Sequence, residues 1–102
     1  MLGIKKKSQK TTTIPQEALK HLRREIQSLR DRKLDVEASG RFCYVSHAGS
    51  PLCRLGYRGE LETWDFAIYR YSRQTYSTYE MIPSHGAVAD LVGRAMDAYN
   101  LR

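Results

Sequence analysis

Several of the signatures that most directly announce a chemistry are missing from this chain. It holds only two cysteines, Cys43 and Cys53, which excludes a disulfide-dense secreted framework and leaves no Cys-x-x-Cys pair for metal or redox work. Cys43, His47, Cys53 and His85 could suggest zinc, but no Cys-x-x-Cys or His-x3-His pair brings two ligands together within one turn. They read as core thiols and as histidines at a strand end and a helix start. No phosphate loop, dinucleotide fingerprint or nucleophile elbow occurs. Glu60, Glu62 and Asp65 form a local acidic group that reads as a solvated loop rather than an acid and base pair. The expectation is a protein that is not an enzyme and needs no cofactor or metal.

Long apolar runs are also absent. No stretch approaches the roughly 18 apolar residues of a bilayer-spanning helix, and Met1 to Lys10 carry charge without an apolar run of signal-peptide length. These features predict a soluble, cytoplasmic protein with no membrane partner.

What the chain does have is basic charge and aromatic rings, in different places. The formal net charge is +6 over 102 residues, yet Lys5, Lys6, Lys7 and Lys10 supply four of those charges. Residues 11–102 carry thirteen basic against eleven acidic side chains, a net of +2. A body so close to neutral has no general cationic field. Residues 1–12 therefore read as a basic flexible arm, and residues 13–102 as a single α+β domain with one modest core. Nine of the ten aromatic residues lie between Phe42 and Tyr79, interleaved with arginines.

The element pattern is helix, strands, helix. Thr13-Ile14-Pro15-Gln16 has the form of a capping box, and Leu19, Leu22, Ile26 and Leu29 place a narrow apolar stripe on a helix running to about Arg32 or Leu34. Arg41 to His47 and Leu52 to Arg58 predict a hairpin about a Gly-Ser-Pro turn at 49–51. Trp64 to Ser72 is the strongest strand signal, with Trp64, Phe66 and Ile68 alternating as core against Asp65, Ala67 and Tyr69. Tyr76 to Met81 either adds a short edge strand or lies along the sheet. Pro83-Ser84 then caps a last helix from about His85 to Asn100, whose Val88, Leu91, Val92, Ala95 and Tyr99 share one side. The predicted fold class is α+β: a helix, a three- or four-stranded antiparallel sheet and a second helix, with both helices on one sheet face.

Which residues the other face presents depends on the hairpin register. With Ala48-Gly49-Ser50 as a three-residue loop, the preferred reading, Cys43, Val45, Cys53, Leu55 and Tyr57 share the core face, leaving Tyr44, Arg54 and Arg58 outside. A loop one residue longer would bury Phe42 and Tyr44 beside Leu55 and Tyr57, and expose Val45 and His47 with Arg54.

In the preferred register Tyr44, Arg54, Arg58, Tyr69, Arg70, Tyr71 and Arg73 form a platform on which bases could stack and guanidiniums meet phosphates. Together with Lys5, Lys6, Lys7 and Lys10 these residues make up the predicted nucleic-acid-binding site, with RNA or single-stranded DNA as partner. The alternative is a homo-oligomeric or protein-interaction module, since tyrosine and arginine also dominate protein interfaces and a bare edge strand pairs readily. Phe42-Cys43-Tyr44, Pro51-Leu52-Cys53-Arg54-Leu55, Trp64-Asp65-Phe66-Ala67-Ile68-Tyr69 and the later Tyr76 and Tyr79 resemble small bacterial aromatic-rich domains of unknown function, a likeness that implies a fold and no activity. The element order is similar to that of double-stranded RNA-binding domains. The start of the last helix, Ser84-His85-Gly86-Ala87, lacks the lysines with which those domains meet phosphates.

Overall fold

Apolar side chains at i, i+4 and i+8 turn the first helix into a lid. In the computed structural model, which describes residues 13–101, α1 (Gln16–Gln27) buries Ala18, Leu22 and Ile26, with Leu19 and Leu29 packed half-buried beside them. The basic arm with Lys5, Lys6, Lys7 and Lys10 lies outside the described residues. The helix starts later than a Thr13–Gln16 capping box would place it: its N-cap is Pro15, whose carbonyl accepts the Ala18 and Leu19 amides, both at 3.0 Å. It also ends earlier than its charged periodicity suggests. Leu29 and Arg30 donate back to Ile26 and Gln27, and Arg30 adopts a left-handed φ of 58° that stops the helix.

Residues expected to lie in or just beyond the helix tail instead form a strand. β1 (Leu34–Ser39) pairs antiparallel with β2 (Phe42–His47) through a two-residue turn at Gly40-Arg41. Its Leu-Asp-Val-Glu-Ala-Ser sequence alternates apolar and polar residues at the strand period. Leu34 and Val36 pack on the core while Asp35 and Glu37 are exposed.

The hairpin of β2 with β3 (Ser50–Tyr57) adopts the preferred register by an unexpected route. Cys43 faces Leu55, Tyr44 faces Arg54 and Val45 faces Cys53, but the ladder then shifts so that Ser46 faces Pro51. The turn is two residues, Ala48 and Gly49, both left-handed at φ 52° and 86°, the geometry of a type I′ hairpin, not a Gly-Ser-Pro turn. The extra residue is absorbed by a bulge at Leu52. Leu52 and its neighbour Cys53 are consequently both buried.

β4 (Trp64–Arg70) pairs with β3 on one side. On the other, its C-terminal half pairs with β5 (Thr75–Ser77) and its N-terminal half with β6 (His85–Gly86). Among the described residues the sheet thus has six strands, in the order β1-β2-β3-β4-β5 with β6 beside β4. This exceeds the three or four expected. β1 and β6 also depart from the simple helix, three strands, helix order. The stretch assigned to the start of the last helix is β6, so α2 (Val88–Ala98) is capped by Ala87 rather than Pro83-Ser84.

Both helices cover one sheet face. Val88, Leu91, Val92, Ala95 and Met96 of α2 join Ala18, Leu22 and Ile26 of α1 over Cys43, Val45, Leu52, Cys53, Leu55, Trp64, Phe66 and Ile68 in one cluster. The helices are also tied polar to polar. Ala87 has no side chain to cap α2, and Glu25 of α1 supplies the acceptor, its Oε1 taking the Ala89 amide at 2.9 Å.

Candidate interaction face

The sheet face away from the helices collects the residues of opposite parity: Asp35 and Glu37 of β1, Phe42 and Tyr44 of β2, Arg54 and Gly56 of β3, Asp65, Ala67 and Tyr69 of β4, and Tyr76 of β5. Of the predicted platform, Tyr44, Arg54 and Tyr69 come together here and Tyr71 stands at its rim, 49 % exposed. Arg58 continues the β3 alternation past the strand end and reaches Asp65, 3.7 Å away. Arg73 is exposed in the β4–β5 turn. Arg70 turns to the other side: it shares parity with Trp64, Phe66 and Ile68, and its guanidinium lies 5.6 Å from the Tyr79 ring in a small cleft with Tyr99.

The rings form a chain. Centroids are 6.3 Å apart for Phe42 and Tyr44, 5.5 Å for Tyr44 and Tyr76, 5.0 Å for Tyr76 and Tyr69, 4.9 Å for Tyr69 and Tyr71, and 5.8 Å for Tyr71 and Tyr99. The last four contacts are edge-to-face, the arrangement in which a ring's positive rim meets a neighbour's negative face. Tyr44 and Tyr76 belong to β2 and β5, so their contact bridges the two intervening strands. One end of the chain is tied down, with the Tyr71 hydroxyl donating to the Pro51 carbonyl and the Tyr99 hydroxyl to the Tyr69 carbonyl. Burial raises the Tyr76 hydroxyl above its ordinary value, and Cys53, Tyr44 and Tyr69 push the same way against an opposing Arg54. That phenol stays a neutral donor.

The cations are engaged as well. Arg54 lies 4.4 Å from the Phe42 centroid and 5.3 Å from that of Tyr76. Arg41, in the β1–β2 turn, lies 4.6 Å from Phe42, donates to the Tyr57 carbonyl at 2.8 Å and meets Asp65 at 3.4 Å. Gly56 makes this crossing fit: a Cβ there would stand 3.0 Å from Arg41 Nη1 and 3.2 Å from the Phe42 ring. Sequence reasoning missed Arg41, Phe42 and Tyr76 as face residues. The parity of Phe42 with Tyr44 was available as a signal; the reach of Arg41 was not. Asp65, read from the sequence as part of a solvated acidic loop, lies in β4 and answers both Arg41 and Arg58.

Charge on this face is balanced. Arg41, Arg54 and Arg58 stand against Asp35, Glu37 and Asp65, because β1 brings two carboxylates to the border of the aromatic set. Beside the two β1 carboxylates lies a groove of about 440 Å³ lined by Asp35, Glu37, Tyr44, Ser46, Pro51 and Tyr76 among others.

The remaining candidates fall into structural roles. Cys43 and Cys53 are buried and unbridged, and burial pushes the Cys43 thiol up to about 11 and Cys53 higher still. His47 Nε2 lies 3.0 Å from Asp31 Oδ2, tying the strand end to the α1–β1 turn. Among the described residues no three His, Cys, Asp or Glu side chains gather as a metal site, and no helix is long and apolar enough to cross a membrane.

Fold and face together define an α+β protein with a meandering antiparallel sheet, roofed on one side by two helices and carrying a tyrosine chain on the other. Comparison with protein-family models, with curated proteins and with solved structures finds no match to this chain.

Proposed function

We propose that this is a small non-catalytic protein-interaction module that receives its partner on the open sheet face and the adjoining β1 edge. The observation that carries the reading is the charge balance: three guanidiniums on the face are matched by three carboxylates, and each of the arginines already holds a ring or an acid. A polyanion would find no net attraction there, whereas partly buried tyrosines and arginines within a polar rim are the composition of a protein interface.

Peptide display against the full chain tests this directly. Enriched peptides should bind the wild type and lose at least tenfold in affinity on Tyr44→Ala. A display experiment that enriches nothing, alongside salt-sensitive oligonucleotide binding that depends on Arg54, would instead establish association with RNA or single-stranded DNA. That second reading draws its support from the Lys5–Lys10 charges and from Arg54 held between the Phe42 and Tyr76 rings.

A further inference from the structure

We infer that the β1 edge takes an extended basic segment, whose lysines or arginines at alternate positions meet Asp35 and Glu37 as the segment adds a strand to the sheet. The inference rests on the interaction-module reading and names the chemistry of the partner.

β1 is the terminal strand of the sheet order, so among the described residues its outer row of amides and carbonyls has no strand partner. Such an edge is a template for pairing. Asp35 and Glu37 sit two residues apart on the open face, opposite Ser46 and Tyr44 on the inner side, with their Cβ atoms about 7 Å apart at the strand rise. An added strand has the same period, so side chains at its positions i and i+2 stand directly across from the two carboxylates, about 5 Å away in Cβ separation. The aliphatic stems of lysine or arginine would then lie toward the groove that Tyr44 and Tyr76 wall, where a cation also meets ring faces.

Charge selects this occupant over a second copy of the same chain. Two β1 edges joined about a twofold axis would oppose the Asp35, Glu37 and Ser39 set with itself, placing carboxylate beside carboxylate, a destabilising arrangement. Acidic and neutral segments fail for lack of the same complement. At the far side of the sheet, β5 and β6 are only three and two residues long, too short to guide a strand of useful length.

The test uses synthetic ten-residue peptides in which lysine, glutamate or serine alternates with valine, titrated by fluorescence anisotropy into the full chain. The lysine peptide should bind at least tenfold more tightly than the others and weaken at 0.5 M salt. It should also lose at least tenfold on Asp35→Asn combined with Glu37→Gln, and as much when alternate peptide amides are N-methylated along the pairing edge. Circular dichroism of the double variant establishes that its fold is kept. Equal binding of the three peptides, or indifference to N-methylation, overturns the proposal. Serine or glutamate peptides that bind with Tyr44 dependence would overturn this inference while leaving the interaction-module reading in place.

Discussion

Single residues set the detail of the open face. Gly56 is needed for lack of bulk, not for backbone freedom: its missing Cβ is the space through which Arg41 crosses to Tyr57 and Asp65. Gly56→Ala should cost about 1–3 kcal/mol, the usual range for a forced contact, and urea unfolding will measure it. An unchanged midpoint would mean that Arg41 yields freely. Asp31 governs a pH response. The Lys33 amide first, and then His47, hold its carboxyl below the ordinary value. A carboxyl lowered in the folded state stabilises the fold above its unfolded pKa, and that contribution fades as pH falls below about 4. Asp31→Asn should therefore lower stability at pH 7 and flatten its decline on acidification, read as urea midpoints between pH 7 and pH 2. Parallel profiles for the two proteins would remove Asp31 as a cause. Residue reading also explains one misplaced expectation: Arg70 follows Ile68 by two and so had to share its face, a parity outweighed in the sequence by its tyrosine neighbours.

At the scale of elements, the alternation of Trp64, Phe66 and Ile68 and the stripe on α2 were legible because each is long enough to show its period. All three β4 residues are at most 4 % exposed. β1 was not read, since its six residues follow a charged helix without a glycine or proline to mark the change, and its acidic positions look like more of the same solvated surface. β6 is two residues long and carries no readable pattern. The start of α2 misled for a related reason: a sequence motif names a local solution, and the fold used a distant one. Glu25, on α1, caps α2 and approaches His21 at 3.4 Å. Glu25→Ala should destabilise by about 1 kcal/mol, the ordinary value of a lost cap, lowering Tm by several degrees. A loss no larger than that of Glu17→Ala, on the exposed side of the same helix, would show that the contact between helices contributes nothing.

Across the whole molecule, one apolar cluster joins both helices to the sheet, and Leu22 sits fully buried within it. Leu22→Ala should cost about 2–5 kcal/mol. The thiols give a built-in readout, because Cys43 and Cys53 are sealed under the helices and neither is a thiolate at ordinary pH. A disulfide exchange reagent at pH 8 should modify them only as the chain opens, and faster in Leu22→Ala. Prompt reaction of one thiol per chain in the native wild type would contradict that picture. The sequence by itself determined the α+β class, the strands between Phe42 and Arg70 and the apolar sides of β4 and α2, since burial imposes periods of 2 and 3.6 that any chain must write into its apolar positions. The tertiary structure alone decided the electrostatic character of the open face. That character depends on which strands become neighbours: β1 brings Asp35 and Glu37 to the tyrosines, and the turn that precedes β2 lays Arg41 over Gly56. Charge can balance only between groups that folding has made adjacent, and no linear spacing records that adjacency.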